Sequence, residues 1–101
     1  MTSIRHHAIA AARPTIDAVC RWMGVSVSDF LGKGRHPRVV AARMIVVGLL
    51  REIGGGGKLS YPDIAAALGR RTHSAAWDMD RRWKALDERL RDEARRIARR
   101  T

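Results

Sequence analysis

The sequence predicts a small all-α domain, and three observations support this class. Apolar residues recur at spacings of three and four, as in amphipathic helices, whereas the alternating pattern of a half-buried strand is nearly absent. Two apolar runs follow an N-capping pattern, a Ser with an Asp three residues later, at Ser26 and Ser60. With 101 residues, the chain has room for one small core. We therefore expect five or six helices in a single compact unit.

Three helices are predicted before the glycine-rich stretch in the middle of the chain. The first covers Thr15–Met23, where apolar side chains repeat at helical spacing, and it ends at Gly24. The preceding residues 1–14 form an N-terminal segment that is compatible with a helix. A second, short helix follows the Ser26 cap and ends before a basic loop, Gly32–Pro37.

The third and fourth helices flank the glycine-rich stretch. Pro37–Ile53 starts with a proline, which suits the first turn of a helix, and is apolar on most sides, so we expect it to be the most buried element. Gly54–Gly57 ends it, because consecutive glycines do not propagate a helix. The next helix is capped by Ser60 and extends to Leu68, and Gly69 then turns the chain.

The last helix is predicted to follow an N-cap at Thr72 and to run as one long helix from His73 nearly to the end of the chain. Its apolar residues form an approximate heptad seam: Ala76, Met79, Trp83, Leu86, Leu90, Ala94 and Ile97. The preceding residues can cover only the start of this seam, so we separate a compact domain, 15–83, from an Arg-rich extension, 84–101. Three alternatives remain open for what contacts the apolar side of this extension: the N-terminal segment Ile4–Ala12, a second copy in a homodimer, or solvent.

The charge of the chain limits the class of partner. It has 20 Lys and Arg against 10 Asp and Glu, a formal net charge of +10, which indicates a polyanionic partner. Nucleic acid is the usual partner of a compact basic domain, and an anionic membrane surface is the main competitor. No stretch can span a membrane, and acidic residues interleaved along 76–100 argue against a membrane-surface helix. The single cysteine, Cys20, excludes an internal disulfide and fits a reducing cytoplasm. With a DNA partner, the expected location is cytoplasmic and nucleoid-associated.

No pattern in the sequence indicates catalysis, a cofactor or a metal site. The glycines before Lys58 are not a phosphate-binding loop, because its first Gly and the Ser or Thr after the Lys are both missing. His6, His7 and His36 show no metal-ligand spacing with Cys20. The carboxylates lie mostly beside arginines in the last helix, as expected of surface ion pairs. We therefore expect a protein that is not an enzyme.

The stretch Lys58–Trp83 carries the main functional signal. It contains a short helix, a tight turn at Gly69 and a second helix with basic and polar residues at its start. A helix-turn-helix presents side chains to the DNA major groove in this way. Residues 33–73 hold eight Lys and Arg side chains and two acidic ones, so this second helix lies in a strongly basic part of the chain. The sequence therefore predicts a recognition helix for duplex DNA.

Five motifs between Thr15 and Trp83 have similar counterparts, in the same order, in one known family. They are GVS at 24–26, GKGR at 32–35, ARMIVVGLLREI at 42–53, LSYPDI at 59–64 and GRRTHSAA at 69–76. The chain thus resembles the C-terminal DNA-binding domain of the bacterial replication initiator DnaA, whose helix typically reads Ala-Arg-Gln-Ile-Ala-Met-Tyr-Leu-Leu-Arg-Glu-Leu. The resemblance implies the all-α fold of that domain, similar to the Trp repressor, and DNA binding through the helix-turn-helix.

The chain departs from the family pattern at three places. Its glycine loop before Lys58 is longer than the family's turn. Thr72 stands where the family has an Asp, and Ala75 where it has a second Thr. The missing carboxylate removes an acceptor suited to the amino group of cytosine. We therefore expect binding of double-stranded DNA, and two alternatives stay open for the site: DnaA-box-like sequences, or sequences with a relaxed or shifted base preference.

The resemblance implies two sets of DNA contacts. Arg43 matches the family's arginine that enters the minor groove, where a narrow A·T-rich groove attracts arginine. Thr72, His73 and Ser74 open the recognition helix and are expected to contact base edges in the major groove. Phosphate contacts, which orient the protein without reading sequence, are expected from seven residues: Lys33, Arg35, Arg38, Lys58, Ser60, Arg70 and Arg71.

The predicted function is sequence-specific binding of double-stranded DNA by a stand-alone DnaA-like domain, in control of replication initiation or of transcription. No ATPase module precedes the domain, so we do not expect a complete initiator. The alternative is a protein- or RNA-interaction module that keeps the fold as a scaffold and binds through its Arg-rich last helix. Alanine at Arg43 and His73 separates the two, because only the DNA interpretation requires a large loss of duplex binding.

Overall fold

Six α-helices make up the described part of the chain, and no strand occurs in it. The computed structural model describes the backbone of residues 3–53, 60–69 and 73–99; the side chains of residues 3–9, 11, 53, 73 and 74 are outside the description. The helices are α1 (Ser3–Met23), α2 (Val27–Leu31), α3 (Pro37–Ile53), α4 (Tyr61–Ala67), α5 (His73–Lys84) and α6 (Glu88–Arg99). The predicted all-α class is confirmed.

α1 is longer than the sequence predicts. It begins at Ser3 and includes Pro14, so the N-terminal segment and the predicted first helix form one continuous helix. Proline is most common in the first turn of a helix, which is why the sequence favours a boundary there. The predicted end is confirmed: Gly24 has a φ of +68°, and the amide of Val25 donates to the carbonyl of Cys20 at 2.9 Å, closing the helix.

α3 is the central helix, as its apolar composition predicts. It is buried along most of its circumference and contacts all five other helices. α2 packs beside it: the Ser26 hydroxyl accepts a hydrogen bond from the amide of Asp29 at 3.0 Å, and the ring of Phe30 is fully buried. α1 contributes Ile16 and Val19 to the same core. None of the described helices is both long and apolar enough to cross a membrane.

The prediction of one long C-terminal helix is wrong, because a short turn separates α5 from α6. The amide of Leu86 donates to the carbonyl of Trp83 at 3.1 Å, and the carbonyl of Asp87 accepts from the amide of Arg91 at 3.1 Å to begin α6. Asp is a favoured residue at a helix start. The turn folds α6 onto α1 and α3, where Ala94 is fully buried. α6 thus packs on the helix that contains Ile4–Ala12, and a homodimer through the last helix stays a prediction.

A polar cluster, here called the Glu52 clamp, joins α3, α5 and α6 through Glu52, Trp83 and Arg95. The Glu52 carboxylate accepts one hydrogen bond from the indole Nε1 of Trp83 at 3.1 Å and two from the guanidinium of Arg95 at 2.8 and 2.9 Å. The Trp83 ring is fully buried against Gly48, so closely that a Cβ atom at position 48 would lie 2.1 Å from its Cγ. The clamp therefore fixes α5 on α3 and ties α6 to both.

Candidate nucleic-acid interface

α4 and α5 form the helix-turn-helix that the sequence predicts. The Ser60 hydroxyl caps α4 by accepting from the amide of Asp63 at 3.3 Å, and Pro62 lies in the first turn. After α4, Gly69 has a φ of +72°, a left-handed conformation that favours glycine. α5 begins at His73 and packs against both α4 and α3. The two helices of the motif are therefore held by local caps and by the common core.

α5 has a buried face and an exposed face. Ala76, Asp80 and Trp83 are buried and lie four and three residues apart, so they share the side that packs on the core. The exposed face carries one large apolar residue and three charged ones: Trp77, Asp78, Arg81 and Arg82. The rest of the described chain leaves this face uncovered, so it can approach a partner.

Asp80 joins the two helices of the motif and is not identified by the sequence analysis. Its side chain is buried, and its Oδ2 accepts a hydrogen bond from the hydroxyl of Tyr61 at 2.8 Å and lies 3.2 Å from the Lys84 ammonium. A buried carboxylate needs such partners because its desolvation is costly. The available signal is its place between Ala76 and Trp83, which puts a carboxylate in the apolar seam of α5.

The basic loop and α5 line one surface groove. The groove has a volume of about 580 Å³, and its lining includes Lys33 and Arg35 from the loop, Gly69 from the turn, and Ala75 and Met79 from α5. Lys33 and Arg35 are exposed, and neither forms an ion pair with any described residue. The structure thus brings two of the predicted phosphate contacts beside the predicted recognition helix.

Arg43 is buried, whereas the minor-groove contact that the resemblance implies needs an exposed guanidinium. Its side chain is only 3% exposed. Its guanidinium donates to four backbone carbonyls, those of Phe30 at 2.9 Å, Gly34 at 2.8 Å, Asp29 at 3.1 Å and Gly32 at 2.8 Å. These carbonyls belong to the end of α2 and to the basic loop, and that of Asp29 also accepts from the amide of Gly32 at 3.1 Å. We correct the expectation accordingly: Arg43 is a structural residue that fixes the path of the basic loop.

Two further predicted phosphate contacts, Arg38 and Ser60, are exposed at the starts of α3 and α4. The amide of Arg38 donates to Nδ1 of His36 in the basic loop at 3.2 Å. The Ser60 oxygen is the acceptor of the α4 cap, and its hydroxyl hydrogen can still be donated. His73 and Ser74 lie in the first turn of α5, with side chains outside the description. Four predicted site residues lie outside the described residues altogether: Lys58, Arg70, Arg71 and Thr72.

Comparisons with known proteins match the part of the chain that contains this interface. A family model described as the bacterial DnaA protein helix-turn-helix matches residues 13–81. The chain belongs to this DnaA family. The chromosomal replication initiator protein DnaA of Neisseria meningitidis serogroup C is 32% identical over 68 residues, and that of Corynebacterium jeikeium is 33% identical over 67 residues. The matches cover 67% and 66% of this chain but only 12% and 11% of those relatives.

Membership in the DnaA helix-turn-helix family confirms the resemblance found in the sequence. The domain of this family is a DNA-binding, non-catalytic module, so membership supports binding of double-stranded DNA. The matched residues contain the basic loop, α4 and most of α5, whereas Trp83 and α6 lie beyond them. The DnaA-like part of the chain therefore contains the groove, and the Glu52 clamp connects this part to α6.

Proposed function

We propose that this chain binds double-stranded DNA with a preference for particular base sequences and acts in control of replication initiation or of transcription. The observation that carries the proposal is the groove in which Lys33 and Arg35 of the basic loop lie beside Ala75 and Met79 of α5. In this arrangement the first turn of α5 enters the major groove while the loop contacts flanking phosphates. The phosphate contacts set position and affinity, and the base edges set the preference.

The proposed base contacts in the major groove are Thr72, His73 and Ser74. Short polar side chains at the start of a recognition helix can bond base edges, and the methyl group of a threonine can pack on that of thymine. Arg43 is not among the proposed base contacts, because its guanidinium is bonded to backbone carbonyls. It supports binding indirectly, by holding the loop that carries Lys33 and Arg35.

A role in replication control is proposed because the relatives in Neisseria meningitidis and Corynebacterium jeikeium are named chromosomal replication initiator proteins. A chain with a related helix-turn-helix can occupy related sites and so compete with an initiator for DNA. Thr72 and Ala75 replace an Asp and a Thr of the family pattern at the start of α5. The proposal therefore includes a base preference that overlaps with that of an initiator without being identical to it.

Fluorescence anisotropy tests the proposal. Two short duplexes, one with an initiator-type box and one with the same bases scrambled, are titrated with the full chain over a salt series. Contacts to about five to eight phosphates predict that log K falls with log salt by about 0.9 per phosphate. A box preference that persists as salt rises supports an initiator-like site reader.

Two other outcomes contradict parts of the proposal. Equal, salt-sensitive binding to both duplexes overturns the box preference, and a selection from random duplexes then identifies any other preferred site. Absence of binding to either duplex at low salt overturns the DNA proposal altogether. That last result favours the scaffold alternative, in which the fold carries a protein- or RNA-binding surface.

A further inference from the structure

Trp77 is the most exposed of the three tryptophans. Trp83 is fully buried and Trp22 is half-buried, whereas Trp77 is 47% exposed. Trp77 lies on the outer face of α5, where the guanidinium of Arg81 stacks over its ring, with Cζ 4.9 Å from the ring centroid. Trp77 is outside the hydrophobic core, so the exposed part of its apolar surface is accessible to a partner.

The charges near Trp77 are unevenly compensated. Asp78 forms an ion pair with Arg82 at 3.3 Å, and the buried Asp80 forms one with Lys84 at 3.2 Å. Arg81 has no ion pair among the described residues. An exposed indole beside an uncompensated guanidinium complements a surface that combines apolar patches with negative charge. The sugars, thymine methyl groups and phosphates along the wall of a DNA groove are such a surface.

We propose that Trp77 and Arg81 make a second contact to duplex DNA, with the indole packed on deoxyribose and thymine methyl groups and the guanidinium bonded to the adjacent phosphate. This inference rests on the proposed function. Residues four apart lie on one face of a helix, so positions 73, 77 and 81 form a row along α5. When the first turn of α5 enters the DNA major groove, this row of positions lies along the wall of that DNA groove. The stack on Arg81 orients the ring before DNA arrives.

Fluorescence of the Trp22→Phe variant tests whether DNA covers Trp77. In this variant Trp77 is the accessible indole, because Trp83 is fully buried. Acrylamide should readily quench the Trp77 fluorescence of the free protein. When the protein is saturated with a duplex that it binds, the quenching constant should fall by about half or more. Unchanged quenching with the duplex bound overturns the inference.

Salt-dependent anisotropy tests the roles of the two residues separately. Trp77→Ala should weaken duplex binding on the order of tenfold without changing the salt slope, because an uncharged contact releases no counterions. Arg81→Ala should lower the slope by about 0.9, as expected for one phosphate contact. Trp77→Phe, which keeps a flat apolar ring, should restore most of the affinity. The matched control is Leu90→Ala, which removes another exposed apolar side chain, from α6, and should bind like the unmodified chain.

The results distinguish failure of this inference from failure of the proposed function. If the unmodified chain binds no duplex, both are overturned. If it binds duplex while Trp77→Ala and Leu90→Ala bind as tightly as the unmodified chain, the Trp77 contact alone is overturned. The same holds if Trp77→Ala changes the salt slope as much as Arg81→Ala, since an apolar contact does not have that effect.

Discussion

The Glu52 clamp and the basic loop use charged side chains in contrasting ways. In the clamp, the guanidinium of Arg95 bonds Glu52 and also pairs with two carboxylates of its own helix, Glu88 at 3.1 Å and Asp92 at 2.7 Å. The hydrogen bonds with Glu52 raise the pKa of Arg95 and lower that of Glu52. In the basic loop, Lys33 and Arg35 are exposed and have no ion pair with described residues.

This difference separates charges that hold the fold from charges that meet a partner. Arg43 clarifies the distinction. It lies next to the basic loop but belongs with the charges that hold the fold, because backbone carbonyls accept the hydrogen bonds of its guanidinium. Position in the sequence near a functional loop is therefore a poor guide to the role of a cation. The number of internal acceptors around it is a better one. Substitutions in the first group should accordingly lower stability, with an indirect loss of DNA affinity where the residue holds the basic loop, whereas substitutions of exposed loop cations should lower DNA affinity alone.

The largest loss of stability is expected where α5 packs on α3. Gly48→Ala places a Cβ atom 2.1 Å from Cγ of the buried Trp83 ring, so α5 must shift or the ring must leave its site. We expect a loss of about 3 kcal/mol in the free energy of unfolding, measured by urea denaturation. Gly34→Ala is the matched control, because a Cβ atom there meets nothing within 4 Å.

A double-mutant cycle checks the stated cause. In a Trp83→Leu background, the side chain facing position 48 is smaller, so Gly48→Ala should be less destabilising than in the unmodified chain. Equal losses in both backgrounds would show that the Trp83 ring does not cause the effect.

The second prediction concerns Arg43 and tests its assignment to the fold. Arg43→Ala removes the guanidinium from four carbonyls, of which that of Asp29 keeps the amide of Gly32, and we expect a loss of about 2 kcal/mol in the free energy of unfolding. Arg43→Lys should lose nearly as much, because an ammonium cannot reproduce the geometry of the guanidinium fork. Thermal denaturation measures both variants. If Arg43→Ala were as stable as the unmodified chain and lost only DNA affinity, the minor-groove role would have to be restored.

The third prediction concerns the basic loop. Arg35→Ala should reduce duplex affinity by about fivefold and lower the salt slope by about 0.9, while stability changes by less than about 0.5 kcal/mol. Arg96→Ala, which removes the same charge from an exposed position on α6, should leave the slope unchanged. Anisotropy and urea denaturation on the same samples measure both quantities. If Arg35→Ala and Arg96→Ala gave equal salt slopes, the net charge of the chain, rather than the position of Arg35 in the surface groove, would determine binding.

The smallest effect is expected from the acid titration of the clamp. The pKa of Glu52 is lowered in the folded chain, mainly by hydrogen bonds from Arg95. The ionised Glu52 carboxylate therefore contributes its full stabilisation of the folded chain at pH values above the ordinary Glu pKa. This stabilisation is lost as pH falls through the lowered value. The Glu52 side chain is 34% exposed, so the contribution should stay below about 1 kcal/mol. Urea denaturation near pH 6 and near pH 3 measures the free energy of unfolding at each pH. The loss between the two pH values should be smaller for Glu52→Gln than for the unmodified chain.

Local signals in the sequence predicted most helix boundaries. The caps at Ser26 and Ser60 and the turns at Gly24 and Gly69 depend on residues a few positions apart, so their chemistry is visible in the sequence. The apolar circumference of α3 likewise predicted its central place. The α1 boundary failed because Pro14 is tolerated within a longer helix, although its local preference is for a helix start.

Long-range contacts account for what the sequence did not predict. The apolar seam is continuous across the α5–α6 turn, and the turn is stabilised by contacts such as that between Glu52 and Arg95, which are 43 residues apart. The acceptors of Arg43 are backbone carbonyls, which carry no residue-specific signal in the sequence. Asp80 was missed for a similar reason, since its partner Tyr61 lies on the other helix of the motif. The candidate base contacts in the first turn of α5 remain predictions.

The close fit of Gly48 and Trp83 restricts how specificity can be exchanged between this chain and other DnaA domains. The typical family helix has a Tyr at the position of Gly48, and a side chain at that position points into the volume that Trp83 fills in this chain. Grafting α5 of this chain alone into such a domain would place two large rings in one volume. A chimera that transfers DNA preference must therefore carry α3 and α5 together, because the recognition helix and its support are a single interchangeable part.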